Sequence, residues 1–361
     1  MAELDQITVA THRFVRNNPK LVDNMSQHDP LVAYFRKTCK EDFTGGRYIA
    51  ENFIYTGLVG KSYLKGAEFD TTEKQVEQQG QFNVKLYEVG VTMSKEDIQV
   101  FNKGDAQIFS LIESRMNTAY ITMGIYAAIS IYMNGVNAGY TPMVNGLAEA
   151  LNDGTNTSWD GNVYPTYGTL TRNGVIGAAY NTTPRNVNGP LLYPTLLETF
   201  LNATYGQIMP TIGVTTVQGY AYIQEKFQTQ QRFVDTQEAK IGFNGMKFLN
   251  SVIMSSRYAP GSYISGSNGT VDPNVVTYLT QTTNGAVTAY PVQNVAWESL
   301  FWINAEKPYM NFYLDTDPEY RFGFTGFKPY AGNTKITGQV LGAFNVTFNP
   351  RYHYQVYGFT A

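Results

Sequence analysis

The spacing of apolar and polar residues changes character several times along the chain. Residues 1–45 hold no sustained period, and Asn17-Asn18-Pro19 and His28-Asp29-Pro30 break what begins. They predict an extended arm with one or two short helical turns around Leu31 to Lys40. From Arg47 to Met93 the pattern predicts a long β-hairpin. Its first arm is Tyr48-Ile49-Ala50-Glu51-Asn52-Phe53-Ile54-Tyr55, ending in Gly57 and Gly60. The returning arm alternates Phe82, Val84 and Leu86 against Asn83 and Lys85. The apolar phase then slips to Val89, Val91 and Met93 around Gly90, which predicts a bulge. Lys61 to Gly66 and the polar run Thr71 to Gly80 form the distal half. A hairpin with so little core of its own is marginal in water, so it is expected to lie against another chain.

Ser94-Lys95-Glu96-Asp97 reads as a capping box before a short helix closed by Asn102-Lys103-Gly104. A long helix follows over Asp105 to Met133. Ile108, Leu111, Ile112, Met116, Ala119, Met123, Tyr126, Ala127 and Ser130 recur in it at spacings of three and four, with Asn134-Gly135 as the stop. At a rise of about 1.5 Å per residue it is about 40 Å long, the length of a spine. Residues 152–190 read as Gly/Asn/Thr-rich connection. Pro194 opens a helix to about Tyr205, a strand covers Thr211 to Val214, and a helix covers Val217 to Phe227. Ile241 to Phe248 predicts a hairpin turning at Asn244-Gly245. Residues 255–295 read as loop, and strands resume at Ser299 to Ile303, Met310 to Leu314 and Lys335 to Phe348. No repeat of fixed period is present. The class is α+β.

Composition changes the picture in one respect. Charged residues are 15% of the 361, well below the roughly 25% of ordinary soluble domains, while 27 Tyr and 21 Phe raise the aromatic share to 14%. Disorder would need low hydrophobicity with high net charge, and a dedicated nucleic-acid binder a basic excess; the net charge here is −3. Aromatic enrichment with charge depletion is the bias of protein–protein interfaces. Met1-Ala2-Glu3-Leu4-Asp5 does not read as a secretory signal, and the apolar run Ile121 to Met133 is shorter than the ~20 residues of a membrane span. Synthesis in the cytoplasm without a membrane partner is expected.

Candidate chemistry is sparse. Gly57-Leu58-Val59-Gly60-Lys61-Ser62 imitates a phosphate-binding loop, but Tyr55 stands where the first Gly belongs and no helix start follows. Asp315-Thr316-Asp317 with Glu319 imitates a calcium loop, but Tyr320 occupies the position that requires Gly. Asp153, Asn156, Asp160 and Asn162 could hold a cation loosely, although Asx turns explain them equally. Cys39 stands alone and reads as a small buried hydrophobe. His12, His28 and His353 lie in no catalytic signature. Neither a catalytic residue, a metal ligand nor a cofactor is assigned, and no enzyme is expected; accidental carboxylate pairs stay open.

The order of features resembles the major capsid proteins of tailed bacteriophages, the Johnson fold. Gly46-Arg47-Tyr48-Ile49 through Tyr63-Leu64-Lys65-Gly66 resembles the entry and tip of that family's extended loop. Val89 to Asp97 resembles the loop's return. Gln230-Gln231-Arg232-Phe233 with Gly242 to Met246 resembles the axial domain's helix-to-hairpin segment, and Gly338 to Arg351 resembles the closing strand of the peripheral domain. The resemblance implies an N-terminal arm over 1–45 and an extended loop over 46–93. It further implies a peripheral domain over 94–180 with its spine helix at 105–133, an axial domain over 181–320, and closing peripheral strands over 321–361.

It also implies a non-enzymatic virion protein. This would be assembled in the host bacterial cytoplasm into hexamers and pentamers of an icosahedral head around double-stranded DNA contacted non-specifically. A separate scaffolding protein, a portal and possible decoration proteins would be its partners. Lys61, Tyr63, Lys65 and Glu68 are the implied inter-subunit contacts. Some relatives link a loop lysine to a neighbour's asparagine; Lys61 and Lys65 are placed for that, but solvated lysines are the plainer reading. Two rivals stand beside this one. The first is an encapsulin-type nanocompartment on the same fold. The second is a glycan-binding surface protein using Trp159, Trp297 and Trp302 as stacking platforms.

Overall fold

A computed structural model describes residues 29–54, 57–58, 60–68, 73–94, 96, 105–135, 143–172, 181–227, 245–261, 298–329 and 334–360. Of the helix at 105–132, side chains are described from Ile112 onward. The arm before Asp29, the short helix after Asp97, Gln230 to Asn244 and the loop through Trp297 lie outside the described residues.

Helix α1, Pro30–Thr38, begins where Asp29 caps it: the carboxylate accepts from the backbone N–H groups of Leu31 (2.7 Å) and Val32 (3.4 Å). Pro30 is suited to this first turn because its missing N–H would be unpaired there anyway. Four strands follow: β1, Lys40–Phe43; β2, Ile49–Ile54; β3, Glu77–Phe82; and β4, Lys85–Ser94. Helix α2, Asp105–Tyr132, spans 28 residues, about 42 Å. Glu113, Ser114, Arg115 and Thr118 are exposed, but every residue from Met123 to Met133 is buried. The helix is therefore amphipathic near its middle and enclosed on all sides at its C-terminal end. After it come α3, Leu147–Ala150, the short pair β5, Thr166–Tyr167, and β6, Leu170–Thr171, and then β7, Arg185–Pro190. The next elements are α4, Tyr193–Asn202; β8, Ile212–Thr215; α5, Val217–Phe227; β9, Gly245–Phe248; and β10, Ser251–Ser255. The chain closes with β11, Glu298–Ile303; β12, Met310–Asp315; β13, Arg321–Phe324; β14, Lys328–Pro329; β15, Lys335–Phe348; and β16, Tyr354–Thr360.

Two six-stranded sheets organise these elements. In the first, β15 is central. One edge pairs with β4 from Lys335↔Ser94 to Phe344↔Lys85, and the other meets β14, β13 and β12 in turn. The antiparallel pairing of β12 carries the parallel edge strand β1. The order of the second sheet is β7-β16-β11-β8-β10-β9. Its central strand β11 is buried throughout because both faces are covered. Phe301 and Ile303 join the larger core, built on α2 and the first sheet. Leu300 and Trp302 join a second core, with Leu196 and Phe200 of α4 and Ile223 of α5. Burial on both faces explains the unbroken apolar run Leu300-Phe301-Trp302-Ile303.

Several sequence expectations are corrected here. The partner of β2 is β3, from Ile49↔Phe82 to Ile54↔Glu77, so the returning arm starts inside the run assigned to the tip. Strand β4, expected as that arm, belongs to the first sheet, where β15 offers it a ten-residue ladder. No bulge interrupts that ladder: the apolar phase changes at Asn83-Val84, where the chain leaves the hairpin, and Leu86 ends exposed. Strand β12, within 181–320, lies in the first sheet, and β16, within 321–361, lies in the second. The hairpin described near Asn244-Gly245 is β9–β10, turning through Leu249 and Asn250.

Candidate assembly interface

The β2–β3 hairpin stands on a narrow base. Alternation puts Ile49 and Phe53 of β2 with Gly80 and Phe82 of β3 on one buried face, while Ala50, Asn52, Gln79 and Gln81 face outward. Phe53, Phe82 and Tyr167 form a ring cluster, with Phe82 edge-on to Tyr167 at 4.9 Å between centroids and to Phe53 at 6.3 Å. The Gln81 N–H donates to the Gly168 carbonyl at 2.7 Å. Gly168 has φ +55° and its Cα faces the Phe82 ring so closely that a Cβ there would overlap it, so both conformation and space require glycine.

Glu51 completes the base. Its Oε1 accepts hydrogen bonds from Asn311 Nδ2 (2.8 Å) and Tyr313 Oη (2.7 Å) on β12, and from Thr347 Oγ1 (2.7 Å) on β15. Burial and the adjacent Glu51 carboxylate push the Tyr313 phenol well above its usual range, so it stays a donor. One carboxylate thus ties the hairpin to the first sheet.

Beyond this base the character reverses. Ile54, Leu58, Tyr63 and Leu64 are 58%, 75%, 62% and 84% exposed. Lys61, Tyr63, Lys65 and Glu68, the four expected contact residues, are all exposed on this distal segment. The turn there is closed by the Ala67 N–H to the Leu64 carbonyl, 3.0 Å, with Gly66 at φ +91°. Leu58 and Leu64 are the contact candidates the sequence did not single out: they are apolar residues in a segment that has no core to join. A second apolar surface lies on α4 and its neighbours, where Leu192, Leu201 and Leu249 are at least half exposed. Scattered single apolar residues are ordinary on a surface; a run of them on a protruding hairpin is not.

The other candidates are engaged within the chain. Asp153 Oδ1 accepts from the Thr155 and Asn156 N–H groups, and Asp160 is buried against Asn134, Asn162 and Tyr164, so these are Asx turns and a buried clasp. Asp315 and Asp317 accept from the N–H groups of Asp317 and Glu319 in the same manner. Cys39 is fully buried, and burial pushes its thiol up. His353 is enclosed between Asn304, whose N–H donates to Nδ1 (3.1 Å), and the Tyr309 carbonyl, which accepts from Nε2 (2.9 Å). Burial lowers its pKa to about 4, so the ring is neutral. Trp159 and Trp302 are buried, their indole N–H groups donating to the Tyr132 carbonyl and to Thr199 Oγ1; neither offers a stacking face to a glycan. Trp297 lies outside the described residues. Among the described residues no group of His, Cys, Asp and Glu is arranged to hold a metal, and no helix is long and apolar enough to cross a membrane.

No family model and no curated protein sequence matches the chain. Solved structures do match, over nearly the whole length. The capsid subunit of cyanophage A-1(L) superposes with a TM-score of 0.60 at 10% identity, covering 92% of this chain and 93% of that one. The capsid of a native GTA particle gives 0.52 at 7% identity, covering 91% and 90%. The SrpI encapsulin of Synechococcus elongatus PCC 7942 gives 0.50 at 9% identity, covering 92% and 88%. The fold of this chain is therefore the one shared by phage capsid subunits and encapsulins, as the resemblance implied.

Proposed function

We propose that the chain is the repeating subunit of a self-assembling icosahedral shell, the head of a tailed bacteriophage, in which hexamers and pentamers enclose double-stranded DNA. The observation that carries this reading is the β2–β3 hairpin. Its base is pinned by Glu51 and the Phe53–Phe82–Tyr167 cluster, while Leu58 and Leu64 of its distal segment are largely exposed. A hairpin anchored at its base and ending in exposed apolar side chains marks an interaction surface, and in a shell the molecule that covers it is the next copy. Lys61, Tyr63, Lys65 and Glu68 then lie in the inter-subunit contact. The first sheet and α2 form the peripheral domain, and the second sheet with α4 and α5 forms the axial domain that faces the capsomer centre. Scaffolding, portal and decoration proteins are the partners such a head requires, and the near-neutral charge suits a wall that encloses DNA without gripping it.

An encapsulin shell around a protein cargo is the second reading, favoured by the SrpI likeness. Electron microscopy of the expressed full chain tests both. Closed particles are expected, and a product that stays monomeric even with scaffolding protein supplied would sink the shell reading. Nuclease-protected DNA inside the particles marks the virion; an enzyme cargo without DNA marks the nanocompartment.

A further inference from the structure

Arginines in this fold resolve their charge in contrasting ways. Arg172 is sealed inside, its Nη2 donating to the carbonyls of Glu149 (2.6 Å) and Ala150 (3.1 Å) and its Nη1 to Asn181 Oδ1 (3.3 Å). Arg321 pairs with Asp42 at 2.7 Å. Arg351, half-buried in the turn Pro350–Tyr352 between β15 and β16, does neither. Its guanidinium carbon sits 3.5 Å from the centroid of the Tyr205 ring. Its Nε is sealed without an acceptor, and no carboxylate lies within ion-pair distance among the described residues. A guanidinium does not shed its proton, so this charge persists, and among the described residues its donors meet no protein acceptor.

What lies beside it is a cavity of about 460 Å³ walled by Thr182 and Thr183 before β7, Asn202 at the end of α4, Thr204 after it, and Tyr354. The residues lining it are amide, hydroxyl and phenol side chains beside Arg351; a described carboxylate, that of Asp153, stands behind this wall and is hydrogen-bonded to Thr183. Two of its hydroxyl protons are already engaged: Thr182 donates to the His353 carbonyl (3.0 Å) and Thr204 to the Phe200 carbonyl (3.0 Å). Arg351 is thus the strong donor facing this space. Its platform is held in place. Tyr205 exchanges backbone hydrogen bonds with Ile208 (2.9 and 3.1 Å) and meets the Tyr352 ring edge-on at 6.0 Å, and Tyr352 packs on Tyr309 at 4.4 Å.

We propose that this cavity is an oxyanion subsite in which the Arg351 fork receives two oxygens of a phosphate or carboxylate group, with Tyr205 fixing the plane of the guanidinium. A planar fork matches either group in a bidentate pair, and an aromatic face restrains the cation before the anion arrives. The group has two possible sources: a free phosphate-type ion, or an acidic side chain of a second copy of this chain. The second source rests on the shell reading; the first does not.

Calorimetric titration of the unassembled full-length subunit with inorganic phosphate, against chloride at matched ionic strength, tests the site. Wild type is expected to bind, and Arg351→Gln to bind roughly ten- to a hundredfold more weakly. Arg351→Lys keeps the charge without the fork and is expected to bind more weakly than wild type, which guards against a folding defect in the glutamine variant. Equal affinity in all three proteins, absence of binding included, overturns the subsite. Assembly kinetics identify the source: a neighbour's carboxylate makes phosphate slow wild-type assembly and makes Arg351→Gln slow without it. A free ion leaves Arg351→Gln assembling at the wild-type rate.

Discussion

Asp29 shows how much a single buried residue can connect. Its Oδ1 caps α1, and its Oδ2 accepts from Tyr132 at the end of α2 (3.2 Å) and from Ser256 just after β10. Three distant segments therefore meet on one fully buried carboxylate. Burial outweighs these hydrogen bonds and raises its pKa from 3.8 to about 6. Of the described groups packed against it, Tyr132 is the titratable one, and its own phenol is pushed up by burial and by Asp29. Because the folded pKa lies above the unfolded one, the folded state binds the extra proton. Asp29 therefore adds stability as pH falls from about 6 towards 4, and that gain is absent at neutral pH. The full difference is about 3 kcal/mol. Urea unfolding of wild type and Asp29→Asn at pH 7 and pH 4.5 should show the variant losing this gain. A difference between the two proteins that does not change with pH would refute the assignment.

At the scale of elements, the hairpin and β4 show how local pattern and tertiary pairing divide the work. The local pattern correctly marks β2 and β4 as strands, but cannot say which neighbour each will choose. Strand β3 is Glu-Gln-Gln-Gly-Gln-Phe and reads as polar loop, because it needs only Gly80 and Phe82 to close the base against Phe53. Removing the Glu51 carboxylate should loosen this base. In Glu51→Ala, Asn311, Tyr313 and Thr347 lose their common acceptor, at a cost of about 1–3 kcal/mol. Hydrogen exchange should speed up at the β2–β3 amides while the β4–β15 ladder keeps its protection. Uniform loss of protection would mean that Glu51 supports the whole sheet. Trp302 belongs to the other core, stacked on Phe248 at 5.5 Å and edge-on to Phe200 at 5.2 Å. Trp302→Ala should cost about 3–5 kcal/mol in chemical unfolding.

For the whole molecule, the apolar hairpin end is the part on which the proposed shell function bears most directly. Replacing residues 60–74 by a short Gly/Ser linker keeps β2 and β3 and should leave subunit unfolding nearly unchanged while assembly fails. Leu58→Ser with Leu64→Ser should do the same more gently, within about 0.5 kcal/mol in the subunit, since both side chains are already in water. Light scattering beside thermal melts separates the two effects; a subunit that unfolds when the tip is removed would place the hairpin in the core.

Much of this architecture was legible in the sequence. The boundaries of α2, α5 and β15 follow from periodicity and from stops such as Asn134-Gly135, because those elements bury a regular face or lie inside the core along their length. What only the tertiary structure decided is pairing. It set β4 on β15 rather than in the hairpin, β16 in the second sheet, Glu51 beneath Asn311, Tyr313 and Thr347, and Arg351 over Tyr205 beside a polar cavity. Periodicity reports which face of an element avoids water, and that is a property of neighbouring residues. Which surface meets it is settled by partners hundreds of positions away, and no local pattern carries that information.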